Sequence, residues 1–300
     1  MRDTFVPFEE ATLNIASSPV LYGLAVYTVF SFNWNEEKGT GSIFRLEDHY
    51  RRLVNSCNIM GFEGFPEMWS FEKFKTKMFE LIQKNEAKEN ALVRVSVFVD
   101  AIIAGTKIKG LPIALSAYIY PVGQILPQNG INVCISSWQR NPDGAIPSRA
   151  KVNGGYVNAS LMKNEAILNG YDDAIALDAF GHVTESTVAN IFIVRNGVLI
   201  TPQTSLDILE GITRDSIIKI ASDLKIKTEE RIIDRTELYT ADEAFISGSS
   251  AKIIPILSVD KRPIGNSAIG PITKQLLATY ISAQTGADNE KYLNWRTEVK

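Results

Sequence analysis

The chain has 300 residues, 45% of them hydrophobic, with 31 Lys+Arg against 34 Asp+Glu and a net charge of −3. That length exceeds the soft prior of about 100–200 residues for one domain, and so near-neutral a balance leaves no chain-wide basic footprint for DNA or RNA. Two cysteines, Cys57 and Cys134, cannot build a disulfide framework or a four-thiolate site, and two histidines, His49 and His182, leave almost no room for a multi-histidine metal centre. No metal is expected, so an enzyme of this composition must take its chemistry from other residues or from something it binds.

Residues 1–10 carry Asp3, Glu9 and Glu10 but no apolar core and no small-residue cleavage site, so they do not read as a signal peptide. The longest apolar runs, 23–32 and 111–120, are half a membrane span, and a soluble cytoplasmic protein is expected. Residues 20–34, rich in Val, Tyr and Phe, predict a strand, followed by a polar loop over 35–41. Leu46, Tyr50, Leu53, Cys57 and Met60 recur at steps of four and three, which is helical spacing. Phe71, Phe74, Met78, Leu81 and Ile82 repeat that signature behind Ser70, a good N-cap. Residues 91–99 and 112–120 then read as strands. Residues 121–130, with two prolines and two glycines, are the candidate linker.

Beyond it, 131–138 predicts a strand, 157–169 a helix closed by Gly170, and 174–178 a strand. Asn196-Gly197 between two apolar runs is the strongest hairpin signal in the chain. Thr213 is a candidate cap for a helix through Leu224, and Pro271 suits the first turn of a last helix through Ala283. The organisation expected is α+β: a small N-terminal α/β domain over 1–120, an interdomain loop over 121–130, and a larger strand-rich domain over 131–300.

Four places carry more than a bland core needs. Lys151, in RAKVNGGY, stands between a predicted strand and helix beside Asn153-Gly154-Gly155. A desolvated lysine there could act as a nucleophile, although a loop lysine taken alone is more often simply solvated. Glu185, in VTESTVAN, could hold a cationic ring nitrogen. Opposite charges 4 Å apart attract by about 4 kcal/mol at an effective dielectric of 20, before desolvation. Gly211-Ile212-Thr213 opens a helix, where N–H groups and the dipole favour a phosphate. Gly248-Ser249-Ser250 follows an apolar strand with N–H groups and two hydroxyls. Each of the last two is equally compatible with an ordinary cap or turn, and no GxGxxG or GxxxxGKS pattern occurs. His49 reads as a partly buried structural histidine, His182 as an exposed turn residue, and both cysteines as core thiols.

The order of these features resembles the class IV (fold-type IV) pyridoxal-phosphate aminotransferases, and within them the branched-chain amino acid aminotransferases. The matching stretches are SSWQR (136–140), AKVNGGYVNASLMKNEA (150–166), GYDDAIALD (170–178), GVLITP (197–202), LEGITRDSI (209–217), ADEAFISGSSAKIIPI (241–256) and GPITK (270–274), with LYG (21–23) and IFRLEDHYRRLVNS (43–56) in the first half. The resemblance implies pyridoxal phosphate in a cleft between two domains and Lys151 as the Schiff-base lysine that also carries the proton. Glu185 then partners the pyridine nitrogen, and Tyr156 the phenolic oxygen. Arg52, Ile212, Thr213 and Ser249 are implied for the phosphate, with Asn190 and Leu209 in the same cofactor set. Periodicity alone does not choose Arg52 over Arg51. For substrate the resemblance implies Tyr22, Tyr27, Leu92, Arg94, Val122, Ser249 and Ser250.

The implied reaction moves an amino group from a branched-chain L-amino acid to 2-oxoglutarate in two half-reactions, in a homodimer or larger homo-oligomer. Three departures fall near the substrate. After Tyr27 in a phenylalanine position, Thr28-Val29 replace Glu-Gly; Leu92 stands for a tyrosine; and the 121–130 loop is shorter than is usual. They keep open a D-amino acid or (R)-amine aminotransferase, or an aminodeoxychorismate lyase. A binding protein that has lost catalysis is the third alternative, and it would need Lys151 or Glu185 to point away from the cofactor.

Overall fold

A computed structural model describes residues 4–123, 126–286 and 290–299. The chain divides into two compact units: Met1–Val122 with Ala150–Gly154 and Gln284–Lys300, and Gly123–Arg149 with Gly155–Ala283. The first boundary falls close to the predicted linker, parts of which (Gln124 and Ile125) lie outside the described residues. Two segments expected in the second domain belong instead to the first unit. Residues 284–300 do so because Arg296–Val299 adds an antiparallel strand beside Thr40–Phe44. Residues 150–154 do so because Val152 bridges Val26.

The first unit is a five-stranded antiparallel sheet in the order Arg296–Val299, Thr40–Phe44, Ala25–Asn35, Ala91–Val99, Ile113–Pro121. Side chains alternate across it. Val26, Phe30, Val93, Val95 and Val97 form a core with Leu53 and Cys57 of helix Leu46–Met60 and Phe74 and Met78 of helix Phe71–Lys84. Both helices follow the predicted spacing, and the Ser70 hydroxyl accepts from the Lys73 N–H at 3.4 Å. One expected strand begins late. Residues 20–22 lie in a short helix, Ser18–Tyr22, because Pro19 fits its first turn and Gly23, at φ +66°, ends it. Strand Thr40–Phe44, unforeseen in the sequence, pairs with the strand before it.

In the second unit, the strand Val183–Ser186 pairs with both Asp173–Leu177 and Asn190–Arg195. Six strands thereby close on themselves in the order Asn190–Arg195, Glu243–Gly248, Lys252–Val259, Ile131–Ile135, Asp173–Leu177, Val183–Ser186. Ile131, Val133, Ile175, Ile191, Ile193, Ala244, Ile246, Ile254 and Ile256 fill the associated core. Asn196 (φ +50°) and Gly197 (φ +74°) make the predicted hairpin, with both turn residues in the left-handed region that this turn demands. Helices Tyr156–Leu168 and Ile212–Asp223 belong to it, as does helix Pro271–Thr285 up to Ala283. Gly211, rather than Thr213, precedes the second of these, and Thr213 lies within its first turn. Among the described residues no helix is long and apolar enough to cross a membrane. Cys57 and Cys134 are buried free thiols, which burial pushes up to about 12 and about 11.

Candidate active site

In the first unit, adjacent residues of strand Ala25–Asn35 serve opposite faces. Tyr27 shares its face with Leu92 and Arg94 of the neighbouring strand and with Tyr118 and Tyr120 of the next, read from the register Val29↔Arg94, Arg94↔Tyr118 and Leu92↔Tyr120. The Arg94 guanidinium stacks 3.6 Å from the Tyr27 ring centroid, and Lys151 Nζ lies 5.0 Å from it. Arg94 also reaches Asn153 Oδ1, at 3.5 Å. Leu92 is fully buried, Tyr22 half-buried with its hydroxyl accepting from the Gly105 N–H, and Val122 exposed.

The backbone of Lys151 is held on both sides. Its N–H donates to Ser56 Oγ at 3.2 Å, and its C=O accepts from the Tyr27 N–H at 2.9 Å. Ser56 in turn donates to the Arg52 carbonyl, so one hydroxyl joins the lysine segment to the helical turn that carries Arg52. Close approach matters here: a Cβ on Gly23, at φ +66°, would sit 2.8 Å from Gly154 Cα.

Thr28, one residue on, faces the helices. Its hydroxyl lies 2.8 Å from His49 Nδ1 and accepts from Arg52 Nη2 at 3.2 Å. This separates the two arginines that periodicity left equal: Arg51 is exposed and paired with Glu47, while Arg52 is half-buried against Thr28. It also moves one departure from the family pattern. Thr28 stands not on the Tyr27–Arg94 face but beside Arg52, whereas Val29 does share that face.

His49, expected to be partly buried, is fully so, and burial first, then Arg52, Arg45 and Lys151, holds its pKa well below 6.5. As pH falls below 6.5 the unfolded chain takes up a proton at this residue and the folded protein does not. Stability at this residue is therefore complete above 6.5 and lost below it, by up to about 1.4 kcal/mol per pH unit. Urea unfolding between about pH 7.5 and pH 5 checks this: the His49→Gln variant should lose less stability across that range than the parent.

In the second unit, Glu185 is buried in the strand that closes the ring of six. One carboxylate oxygen pairs with Arg140; the other accepts from Asn190 Nδ2 at 3.1 Å and from the Leu209 N–H at 3.2 Å. Asn190 Nδ2 also donates to the Leu209 carbonyl at 2.9 Å. Gly211 completes the arrangement, since a Cβ there would overlap Asn190 Oδ1. The acid is thus tied to the loop that opens helix Ile212–Asp223. Thr213 is buried in its first turn, with Oγ1 3.4 Å from the Tyr280 hydroxyl. Register places Glu185, Asn190 and Ser247 in one row across three strands, with Gly248-Ser249-Ser250 immediately after. Tyr156 begins its helix, packed against the cluster of Cys134, Ala159 and Met162.

Sequence reasoning set Thr28 near the substrate rather than beside Arg52, and gave no role to Arg140, Ser56, Tyr118 or Tyr120. Only the last two carried a local signal, alternation in a strand beside Leu92 and Arg94. His182, expected exposed, is half-buried with Nδ1 3.1 Å from Asp178. Among the described residues no group of three or more His, Cys, Asp or Glu could hold a metal ion.

A lysine beside a cationic stack, a buried acid with three fixed partners and a glycine-led helix start together suit amino-group transfer on a phosphorylated carbonyl cofactor. The chain belongs to the class IV aminotransferases, whose family model matches residues 25–259. It is 40% identical over 298 residues to a probable branched-chain-amino-acid aminotransferase of Aquifex aeolicus, spanning 98% of this chain and 94% of that one. The branched-chain aminotransferase of Thermoproteus uzoniensis, solved with norvaline, superposes with a TM-score of 0.93 at 37% identity, over 98% and 96% of the two chains. The branched-chain enzyme of Thermobaculum terrenum in its PLP form gives 0.91 at 35% identity, over 98% and 95%.

Class IV aminotransferases depend on pyridoxal phosphate, and two observations of this structure fit that group. Gly211 has no side chain to cap the first N–H groups of the helix, which leaves them suited to an anion. Ser247 Oγ, buried in the row with Glu185 and Asn190, has no hydrogen-bond partner among the described residues.

Proposed function

We propose that this chain transfers amino groups from branched-chain L-amino acids to 2-oxoglutarate, with pyridoxal phosphate, in two half-reactions. The observation that carries the chemistry is the setting of Lys151, its backbone fixed at both N–H and C=O and its amine over the Tyr27 ring. When bound, the cofactor takes up the amino group at its aldehyde carbon and draws electrons into its ring. Lys151 would hold the cofactor at that carbon through its Nζ and would carry the proton at the substrate Cα. Glu185, fixed by Arg140, Asn190 and Leu209, holds a proton on the ring nitrogen; Tyr156 takes the phenolic oxygen. Arg52, Ile212, Thr213 and Ser249 hold the phosphate. Tyr22, Tyr27, Leu92 and Val122 supply apolar surface for the side chain. Arg94 orients a second carboxylate, and Ser249 and Ser250 take the first.

One observation favours a second reading. Val29 stands where branched-chain enzymes have glycine, on the face that Tyr27 and Arg94 share. A side chain there alters the substrate surface, and that change keeps a D-amino acid or (R)-amine aminotransferase or an aminodeoxychorismate lyase as the second reading. A panel of L- and D-amino acids, (R)-amines and aminodeoxychorismate on the yellow holoenzyme separates the two. Bleaching of the visible band by leucine, isoleucine and valine, with glutamate formed on adding 2-oxoglutarate, is expected. Bleaching by D-amino acids or amines alone, or lyase product alone, rejects the first reading.

The working form is a homodimer, in the cytoplasm. Val157, Leu161 and Leu168 leave an exposed apolar stripe along helix Tyr156–Leu168, which suits a second copy. Sedimentation of the same preparation as a monomer would reject that assembly.

A further inference from the structure

We infer that Thr28 is a positioning residue, which together with His49 aims the Arg52 guanidinium at a phosphate. This rests on the reading above that Arg52 takes the phosphate of the cofactor.

The hydrogen-bond inventory of the three residues leads there. An arginine only donates, so at Arg52 Nη2 the Thr28 oxygen must accept. That leaves the single Thr28 proton available for His49 Nδ1, 2.8 Å away, provided the imidazole is neutral. It is kept neutral by burial and by Arg52, Arg45 and Lys151, the cations that act on it. The ring itself is fixed by packing: its centroid lies 5.6 Å from that of Phe30, edge to face, in the core beneath the sheet. A chain therefore runs from a locked imidazole, through an oriented hydroxyl, to one nitrogen of Arg52.

The residue type matters. Branched-chain enzymes usually carry glutamate at this position. A carboxylate so near Arg52 would offset part of its charge, whereas a hydroxyl directs the guanidinium without doing so. Thr28 is entirely buried and faces the helices, so it does not belong to the Tyr27–Arg94 surface.

The test compares two ligands that differ in one group. The full-length chain, stripped of cofactor, is titrated with pyridoxal phosphate and with pyridoxal. Thr28→Val keeps the shape but removes both hydrogen bonds. It should weaken pyridoxal phosphate about tenfold and pyridoxal less than twofold. Thr28→Ser should return both to within about twofold of the parent. If Thr28→Val does not fold, Thr28→Ala is read in the same ratio. Equal weakening of both ligands, or no weakening of either, overturns the inference, because a merely structural role does not distinguish them. Arg52→Lys is the control for the underlying reading. If it leaves the ratio of the two affinities unchanged, both that reading and this inference fail; if it shifts the ratio and Thr28→Val does not, the inference alone fails.

Discussion

Alanine at Lys151 is expected to lower turnover by at least about 10³-fold, the largest effect of any single change in this chain. General acid–base catalysis alone contributes about 10²–10⁴-fold, and the role proposed for this side chain adds nucleophilic attack on the carbonyl carbon. The fold should tolerate the change. The Ser56 and Tyr27 hydrogen bonds that fix the segment are made by the Lys151 backbone and do not depend on its side chain. Single-turnover bleaching by leucine reads the proton transfer, and borohydride trapping of a separate sample that has met no amino donor, with peptide mapping, reads the covalent attachment. The parent should be labelled at Lys151 and the variant nowhere. A variant that retains turnover, or a parent labelled at another lysine, would remove Lys151 from the mechanism.

Glutamine at Glu185 should act on stability and on turnover together. Its amide oxygen can still accept from Asn190 and Leu209, but the Arg140 guanidinium, largely buried, loses its charged partner. Arg140 Nε keeps a 3.3 Å bond to the Asp207 carbonyl, so the cost belongs at the lower end for a broken buried pair, about 3 kcal/mol. For a protein of this size that corresponds to a fall in Tm of roughly 5 °C. Turnover should drop by about 10²-fold or more, as for other single electrostatic contacts to a reacting group. The double variant Arg140→Met with Glu185→Gln separates the two effects. Removing both charges should restore much of the stability and none of the turnover. Recovery of both together would mean that Glu185 is a structural partner of Arg140 and no more.

Local signals carried the elements whose causes are local. Helix Leu46–Met60 follows from the spacing of its apolar residues, helix Phe71–Lys84 from the same spacing behind Ser70, and the hairpin from Asn196-Gly197. Residues 20–22 misled because Val, Leu and Tyr favour strands, while the Pro19 start and Gly23 stop decide a short helix. Arg296–Val299 carries two charges in four residues and becomes a strand only by pairing with Thr40–Phe44. The site divides in the same way. Lys151, Glu185 and the loop before Ile212 are legible from the order of motifs along the chain. Arg140 is not, because its partner lies 45 residues away, on a strand that Arg140, in irregular chain, does not adjoin in sequence. Thr28 and His49 are not, because their contact depends on which face of a strand meets which flank of a helix.

The pairing of Arg296–Val299 with Thr40–Phe44 also bears on how the protein is made. The inner strand leaves the ribosome some 250 residues before its outer neighbour. At about 5–20 residues per second, that is a delay of roughly 13–50 s. Throughout it, one edge of the first sheet exposes unpaired backbone groups, a template for association with other nascent chains. The lysine segment Ala150–Gly154 also reaches its unit late, after the other four strands of that sheet have been synthesised. Maturation of the first unit is thus governed by late translation, and a chaperone-poor or crowded expression host should penalise this protein more than its composition suggests.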